Sequence, residues 1–319
     1  MCPTPEPGAP GKRAGTAEFV QNRAAVDPRI ADLIRLLDLE PLEVNLFRGE
    51  SRDIGSPQVF GGQVLGQALV AASRTVEGRI VHSLHAYFLR PGDFNAPIVY
   101  EVDRSRDGTS FSNRRVIAIQ HGKQIFNMTA SFQVVESGLE HQIPMPAVPP
   151  PESLADSSRH PPELLAKLPE TVRRLLETPR PFEFRSVQPI EAFRLSDARA
   201  GGARPSEGPT ARQIWFRAVS EVDADETLQR CLLAYVSDFY LLETATLPHG
   251  ISSLSGKAMV ASIDHAMWFH HPLRVDDWLL YAVESPSASG ARGFARASVF
   301  ARDGRLVAST AQEGLVRVV

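Results

Sequence analysis

The sequence predicts an α+β fold made of two similar units in one chain, each an antiparallel sheet wrapped around one helix. Three observations carry the prediction. Two runs read as helices: Val59 to Ser73, made of small and apolar residues after a glycine pair, and Cys231 to Leu242, apolar on nearly every side and so buried all round. Strand-like runs follow each of them in close succession, with connections too short for parallel crossovers. The halves also echo one another: His85-Ala86 after the first helix matches His265-Ala266 after the second, and Gly122-Lys123 matches Gly304-Arg305. Two sheets of this kind can join edge to edge, which removes exposed edges.

Residues 1–26 are rich in Pro, Gly and small side chains and read as a disordered tail. The first unit spans 27–136. Asp27-Pro28 opens a helix with an acidic cap and a proline in the first turn. Ile30, Leu33, Ile34, Leu36 and Leu37 give that helix an apolar stripe. Gly61 and Gly62 then turn the chain into the buried helix, where Gly66, Ala68, Ala71 and Ala72 let a sheet approach closely. The glycine spacing does not fit a dinucleotide fingerprint. A helix N-terminus presenting backbone N–H groups to a substrate oxygen suits the pair better. Strands are expected over 79–89, 97–105, 110–121 and 123–135, the last two closed by His121-Gly122.

Residues 137–182 change character. Prolines at 144, 146, 149, 150, 151, 161 and 162 break up regular structure, and only 164–176 suits a short helix. This stretch reads as an interdomain linker packed along the surface. The second unit, 183–319, continues strand-like runs over 182–193 and 213–219 into the second buried helix. Strands are expected over 258–269, 277–284, 292–302 and 305–318, the last two joined through Asp303-Gly304.

Composition narrows the function classes. A chain of 319 residues with 43% hydrophobic side chains has material for two domains and a sizeable core. A net charge of −3 and the lack of a Lys/Arg run argue against a nucleic-acid partner. Cys2 in the tail and Cys231 in the apolar helix make neither a disulfide framework nor a metal cluster. His270-His271-Pro272 has no carboxylate or Cys at metal spacing, so no metal is expected. No apolar run is long enough to span a bilayer, no signal-peptide core follows Met1, and the chain does not end on Ser-Lys-Leu. A cytoplasmic home is expected.

One carboxylate, Asp238, sits inside the second apolar helix. Burying it unpaired costs on the order of several kcal/mol, so it must be paired, protonated or in contact with trapped water. Two readings stay open on the residues alone: a helix-end aspartate reaching solvent or a backbone amide, or a catalytic group. Taken singly, Ser262 and Gln312 read as ordinary strand residues. Asp264 and His265 are tempting as a dyad, but neighbours on a strand face opposite sides. His82 and His85 diverge in the same way, and a hydrogen-bonded core histidine is the plainer reading of His82. No Gly-x-Ser-x-Gly elbow supports a nucleophilic triad.

Phe60-Gly-Gly-Gln-Val-Leu-Gly-Gln-Ala-Leu69, His82-Ser-Leu-His-Ala-Tyr-Phe-Leu-Arg-Pro-Gly-Asp93 and Met128-Thr-Ala-Ser-Phe-Gln133 resemble type II acyl-CoA thioesterases, the TesB family. So do Ile263-Asp-His-Ala-Met-Trp-Phe-His270, Ser287-Ala-Ser-Gly-Ala-Arg-Gly-Phe294 and Val307-Ala-Ser-Thr-Ala-Gln-Glu-Gly314. The resemblance runs in order through both halves. It implies a double hotdog fold and hydrolysis of fatty acyl-CoA to fatty acid and CoA, without metal or organic cofactor.

In that family an Asp, a Thr and a Gln from the C-terminal hotdog together hold a water. The positions fall on Asp238, Ser262 and Gln312. Serine departs from the family's threonine, keeping the hydroxyl and losing the methyl. The resemblance implies that Asp238 accepts the water's proton, its apolar helix raising its pKa while Ser262 and Gln312 restrain the shift. Gly62 and Gln63 are expected to supply oxyanion amides, and His82 is the reserve base. Arg90, Arg114 and Arg292, with Arg115 and Arg296, are expected contacts to the phosphates of CoA. Hotdog sheets usually associate further, so a homodimer or homotetramer is expected. Two rivals stand beside this reading: a non-catalytic acyl-CoA-binding protein, and a hotdog enoyl-CoA hydratase. A hydratase commonly places a His five residues after the helix Asp, where this chain has Glu243.

Overall fold

Helix α1 (Pro28–Leu37) starts where Asp27 accepts a hydrogen bond from the Arg29 amide and Pro28 fills the first turn. It buries Ile30, Leu33, Leu36 and Leu37, each contributing about 1.5–3 kcal/mol by leaving water. In the computed structural model, the described residues are 26–160, 162–166, 168, 170–188, 209–251 and 258–318. The expected tail at 1–26 therefore lies outside them except for Val26. A short hairpin of β1 (Glu40–Glu43) and β2 (Leu46–Gly49) follows α1. Next come helix α2 (Gly61–Ser73), buried along almost its whole length, and strands β3 (Ile80–Phe88), β4 (Ile98–Asp107), β5 (Phe111–Gln120) and β6 (Lys123–Gln133). His121 and Gly122 both take positive φ, as the tight turn between β5 and β6 demands.

The second half has β7 (Phe182–Ser186), β8 (Ala211–Ala218) and helix α5 (Glu226–Ser237) after two short linker helices, α3 (Pro162–Leu165) and α4 (Glu170–Glu177). A 3-10 segment, Leu242–His249, leads to β9 (Ala258–Ser262), β10 (Asp264–Phe269), β11 (Leu279–Ser289), β12 (Arg292–Ala301) and β13 (Leu306–Val318).

All these strands belong to one sheet, ordered β1-β2-β4-β5-β6-β3-β10-β13-β12-β11-β8-β7, with β9 added on β13. The two halves meet edge to edge at β3 and β10, where Leu84 stands opposite Met267 and Ala86 opposite His265. Each half curls around its own helix, and the helices pack antiparallel in the middle. Gly62 lies against Tyr235 and Gly66 against Cys231. A β-carbon at Gly62 would sit 2.2 Å from the Tyr235 carbonyl oxygen, so only glycine permits this approach. Asp225 caps α5 by accepting from the Leu228 amide at 2.8 Å. Helix α2 ends at Arg74, whose guanidinium bonds the Leu39 carbonyl and the Asp38 carboxylate.

The helix-in-sheet pattern expected from the sequence is present in both halves, and several details differ. The β1–β2 hairpin was not expected, because β1 is exposed throughout and carries no apolar alternation. The single strand expected over 258–269 is two strands. Ser262 stands opposite Gly314 but Ala266 opposite Ala311, four steps on one strand against three on the other. Ile263 is thus the extra residue of a β-bulge. The helix expected over 164–176 is two short ones, α3 and α4. The strand expected over 182–193 ends at Ser186, and residues 189–193 lie outside the described residues.

The proline-rich stretch crosses the second half. Trp215 Nε1 donates to the Pro149 carbonyl at 3.0 Å. Met145, Val148 and Leu154 pack on a cluster of Trp215, Trp278, Leu280 and Phe300. Among the described residues no helix is long and apolar enough to cross a membrane.

Candidate active site

Asp238 is the residue that ends α5. There it meets the negative end of its own helix dipole, an unfavourable place for a carboxylate. The neighbouring helix offsets this. Helix α2 begins at Phe60 without a side-chain cap, and its Gly62 amide lies beside the Asp238 carboxylate and favours its charged form. Asp238 thus sits at the positive end of the α2 dipole, supplied by the other half of the chain. A β-carbon at Gly61 would lie 2.7 Å from Asp238 Oδ2, so glycine there also makes room for the carboxylate. Burial raises the Asp238 pKa above the usual carboxylate value, and the hydrogen bond from Gln312 and the nearby Gly62 amide partly offset the rise.

Strand β13 carries Gln312 into the same spot, buried at 1% exposure. Its side-chain amide donates to Asp238 Oδ1 at 2.9 Å and to Ser262 Oγ at 3.0 Å. Ser262 is the last residue of β9, just before the bulge. Both amide hydrogens of Gln312 are thus committed, while the Ser262 hydroxyl keeps its own hydrogen to donate. The structure brings Asp238, Ser262 and Gln312 together. Gly314, opposite Ser262, gives way to Leu242: a β-carbon there would meet the Leu242 side chain at 2.2 Å. Just after the carboxylate, Tyr240 takes φ 64°, a left-handed conformation uncommon for an aromatic residue.

Asp238 and Ser262 line a cavity of about 850 Å³. Phe60 and Gly61 of the first half and Phe182, Phe184 and Phe239 of the second form much of its wall. The linker contributes as well, through Leu175, Leu176 and Arg180. Arg180 stacks over the Phe239 ring at 5.2 Å and donates to the Tyr240 hydroxyl at 3.3 Å. Sequence reasoning took the linker for a surface connector; its amphipathic α4 was the signal of a docked helix.

Reasoning from sequence weighed His265 only as a partner of Asp264 and did not bring it to Asp238. This fully buried imidazole has Nδ1 3.8 Å from Asp238 Oδ1, and Nε2 3.0 Å from Ser237 Oγ and 3.1 Å from Thr310 Oγ1. Burial pushes its pKa down to about 3, so the ring is neutral. The bulge at Ile263 explains the omission. In an unbroken strand, positions 262 and 265 face opposite sides; the extra residue turns both inward.

Other expected residues have different places. The Gln63 amide bonds the Phe60 carbonyl at 3.0 Å, and the Gly62 amide lies beside Asp238. The Gln63 side chain bonds the Glu50 carbonyl at 3.1 Å and the Arg52 amide at 3.2 Å. His82 bonds Ser131 at 2.8 Å and lies six residues along β3 from Phe88, which packs beside Gly61. Six strand residues span ~20 Å, too far for a base at this site. Arg114 is 1% exposed, bonded to Thr75 at 2.8 Å and ion-paired with Asp107 at 2.7 Å. It braces the first sheet and cannot reach a phosphate in solvent. Arg90 and Arg292 are exposed and not among the cavity's lining residues; Arg292 pairs with Glu313 at 3.0 Å. Among the described residues no group of three or more His, Cys, Asp or Glu could hold a metal ion.

Comparison with known proteins accords with this geometry. A family model described as acyl-CoA thioesterase matches residues 192–315, and one described as the acyl-CoA thioesterase N-terminal domain matches 48–133. Acyl-CoA thioesterase 2 of Haemophilus influenzae is 45% identical over 287 residues, covering 90% of this chain and 97% of the relative. Human acyl-coenzyme A thioesterase 8 is 40% identical over 301 residues, covering 92% and 91%. The crystal structure of acyl-CoA thioesterase II TesB2 from Mycobacterium marinum has a TM-score of 0.70 at 42% identity, covering 90% and 98%. A structure from Alicyclobacillus acidocaldarius described as having the hot dog fold has a TM-score of 0.70 at 18% identity, a likeness of fold alone. With both halves matched in order and identity of 40% or more across nine-tenths of its length, this chain belongs to the acyl-CoA thioesterase family and has its double hotdog fold.

Proposed function

We propose that the chain hydrolyses fatty acyl-CoA to a free fatty acid and CoA, with one water held and activated by Asp238, Ser262 and Gln312. The observation that carries this reading is the bridging amide of Gln312, 2.9 Å from Asp238 and 3.0 Å from Ser262. It aims an acceptor, Asp238, and a hydroxyl, Ser262, at one point on the wall of a largely apolar cavity. Asp238 takes one proton as the water oxygen bonds to the thioester carbonyl carbon. The tetrahedral intermediate then collapses, the C–S bond breaks, and the sulfur leaves as a thiolate that takes a proton from Asp238 or from solvent. Thiolate is a good leaving group, so the step closes on water and one general base. The raised proton affinity of Asp238 brings that base nearer the operating range.

In this reading the second unit, 183–319, supplies all three side chains and the first, 27–136, supplies the Gly62 amide. The acyl group lies among Phe60, Phe182, Phe184, Phe239, Leu175 and Leu176. The enzyme works in the cytoplasm as a homodimer or homotetramer. Exposed Tyr87 and Trp268, on the strands that join the halves, suit a further sheet contact.

A thiol-release assay over acyl-CoAs of several chain lengths, run beside Asp238→Asn, tests the reading. Thiol release by the wild type that the variant lacks supports it. Binding without release would make the chain a non-catalytic acyl-CoA-binding protein, and hydration of an enoyl-CoA without release would make it a hydratase. Light scattering during size-exclusion chromatography checks the oligomer; a monomer would overturn that part.

A further inference from the structure

Buried polar atoms without a partner are uncommon and call for an explanation. Among the described residues two of them belong to the surroundings of Asp238: Nδ1 of His265 and Oε1 of Gln312. The register that sets Ala266 opposite Ala311 places His265 and Gln312 as cross-strand neighbours on the inner face of β10 and β13. Gln312 already donates to Asp238 Oδ1. We propose that His265 is a positioning residue, a neutral imidazole in the Nδ1–H tautomer that directs its hydrogen at the same Oδ1 and steadies the carboxylate for proton abstraction. This inference rests on the reading of Asp238 as the general base.

The groups around the ring are compatible with this tautomer, and the carboxylate beside Nδ1 favours it. Ser237 Oγ has a carbonyl acceptor in Ala234 at 2.9 Å, and the Tyr281 hydroxyl donates to the Ser237 carbonyl at 2.8 Å. In the proposed tautomer the Thr310 hydroxyl, 3.1 Å from His265 Nε2, donates to that nitrogen. An Nε2 that accepts leaves the hydrogen on Nδ1. The opposite tautomer would aim a bare lone pair at a carboxylate oxygen 3.8 Å away inside the core. The 3.8 Å separation exceeds a hydrogen bond, as is common in unliganded sites whose bonds tighten with substrate.

Other titratable groups near the pair do not take over this role. Tyr235 on α5 and Tyr281 on β11 both have pKa values pushed up by burial. Arg52 and Arg180 act on Tyr235. Asp264 and Glu313 alternate to the other face of β10 and β13, where the Asp264 carboxylate accepts the Glu313 amide at 2.6 Å. Helix α2 contributes the Gly62 amide.

Two substitutions separate the two nitrogens. His265→Asn places an amide N–H near the position of Nδ1, and His265→Gln places one near Nε2. With His265 steadying Asp238, the Gln variant loses roughly 10- to 100-fold in kcat, the effect of one hydrogen bond to a charged group. Its acid limb moves to higher pH, because a carboxylate that loses a donor holds its proton more tightly. The Asn variant keeps most of kcat and an unmoved acid limb. A merely structural histidine gives the reverse: Gln, preserving the contacts to Ser237 and Thr310, equals or exceeds Asn in kcat and in Tm, with no movement of the limb. That result overturns the proposal. Should both variants fold poorly, 15N shifts of the imidazole in histidine-labelled wild type decide the matter. An Nδ1–H ring supports the proposal and an Nε2–H ring overturns it. Turnover persisting in Asp238→Asn would instead overturn the reading of Asp238.

Discussion

The amide of Gly62, in the first turn of α2, lies beside the carboxylate of Asp238, which ends α5, and favours its charged form. One half of the chain therefore stabilises a charge carried by the other. Interactions of this kind at a helix N-terminus are worth about 0.3–1 kcal/mol on a surface and up to about 2 kcal/mol when partly buried. The carboxylate is held from the α2 side by a backbone group and from β13 by an amide, a geometry that substitutions on either side can test separately.

Gly61→Ala probes the α2 side. Its β-carbon would sit 2.7 Å from Asp238 Oδ2 and 3.1 Å from the Phe88 ring, so the carboxylate must turn away. Alanine is favoured over glycine in a helix by up to about 1 kcal/mol, which keeps the fold in place. The expected result is a fall in kcat of about 10-fold, near 1.4 kcal/mol of barrier, with a small change in Tm. Unchanged turnover would show that the carboxylate has room to spare.

Asp238→Asn separates chemistry from stability. Loss of the general base lowers kcat by about 10²- to 10⁴-fold. The stability effect has the opposite sign. Burial raises the folded-state pKa of Asp238 above its ordinary value of 3.8, so its contribution to stability is full below that value and is lost as pH rises through the folded pKa. At neutral pH the ionised group is a burden that asparagine lacks. Thermal melts at pH 7 should show the variant at least as stable as the wild type, and the gap should narrow as the pH falls. In the wild type, kcat/KM falls on the acid side through the same raised pKa.

Gln312→Glu replaces the bridging amide with a carboxyl at nearly constant volume. Two carboxyl groups about 3 Å apart cannot both ionise, so they share a proton and the base loses its readiness to accept one. Activity at pH 7 should collapse while the fold survives, and Gln312→Ala should be less harmful than Gln312→Glu. A Glu variant as active as the wild type would disconnect position 312 from the chemistry.

Arg114→Met tests a residue that sequence reasoning assigned to CoA. Its guanidinium bonds the Thr75 side chain and carbonyl at 2.8 and 3.0 Å, tying β5 to the turn that follows α2. Removing it leaves buried acceptors unpaired, at about 1–3 kcal/mol. Urea unfolding should show that loss, while KM for acyl-CoA stays unchanged. A raised KM with unaltered stability would return Arg114 to the ligand.

Much of this fold is legible in the residues because burial leaves plain marks. Helices surrounded by sheet are dominated by small and apolar side chains, as in Gly61–Ser73 and the Cys231–Val236 stretch of α5, and tight hairpins need the residues found at His121-Gly122 and Asp303-Gly304. The trio of Asp238, Ser262 and Gln312 is a different case. Nothing in the character of a serine or glutamine on a strand marks it as special, and only likeness to a family singles these out. His265 escaped because a one-residue bulge at Ile263 leaves no mark in composition, yet it reverses which side chains share a face. The short β1–β2 hairpin and the wall supplied by Leu175 and Leu176 depend on tertiary docking, to which local patterns are blind.

The antiparallel pairing of α2 and α5 creates two junctions related by an approximate twofold, each with one helix ending where the other starts. At only one of them is the residue that closes a helix an acid, Asp238 at the end of α5. At the opposite junction the residue closing α2 is Arg74, tethered to Asp38 and the Leu39 carbonyl. The pseudo-symmetric duplicate has become scaffold, so a chain with two matching lobes turns over one substrate at a time, and active-site titration should count a single equivalent per polypeptide.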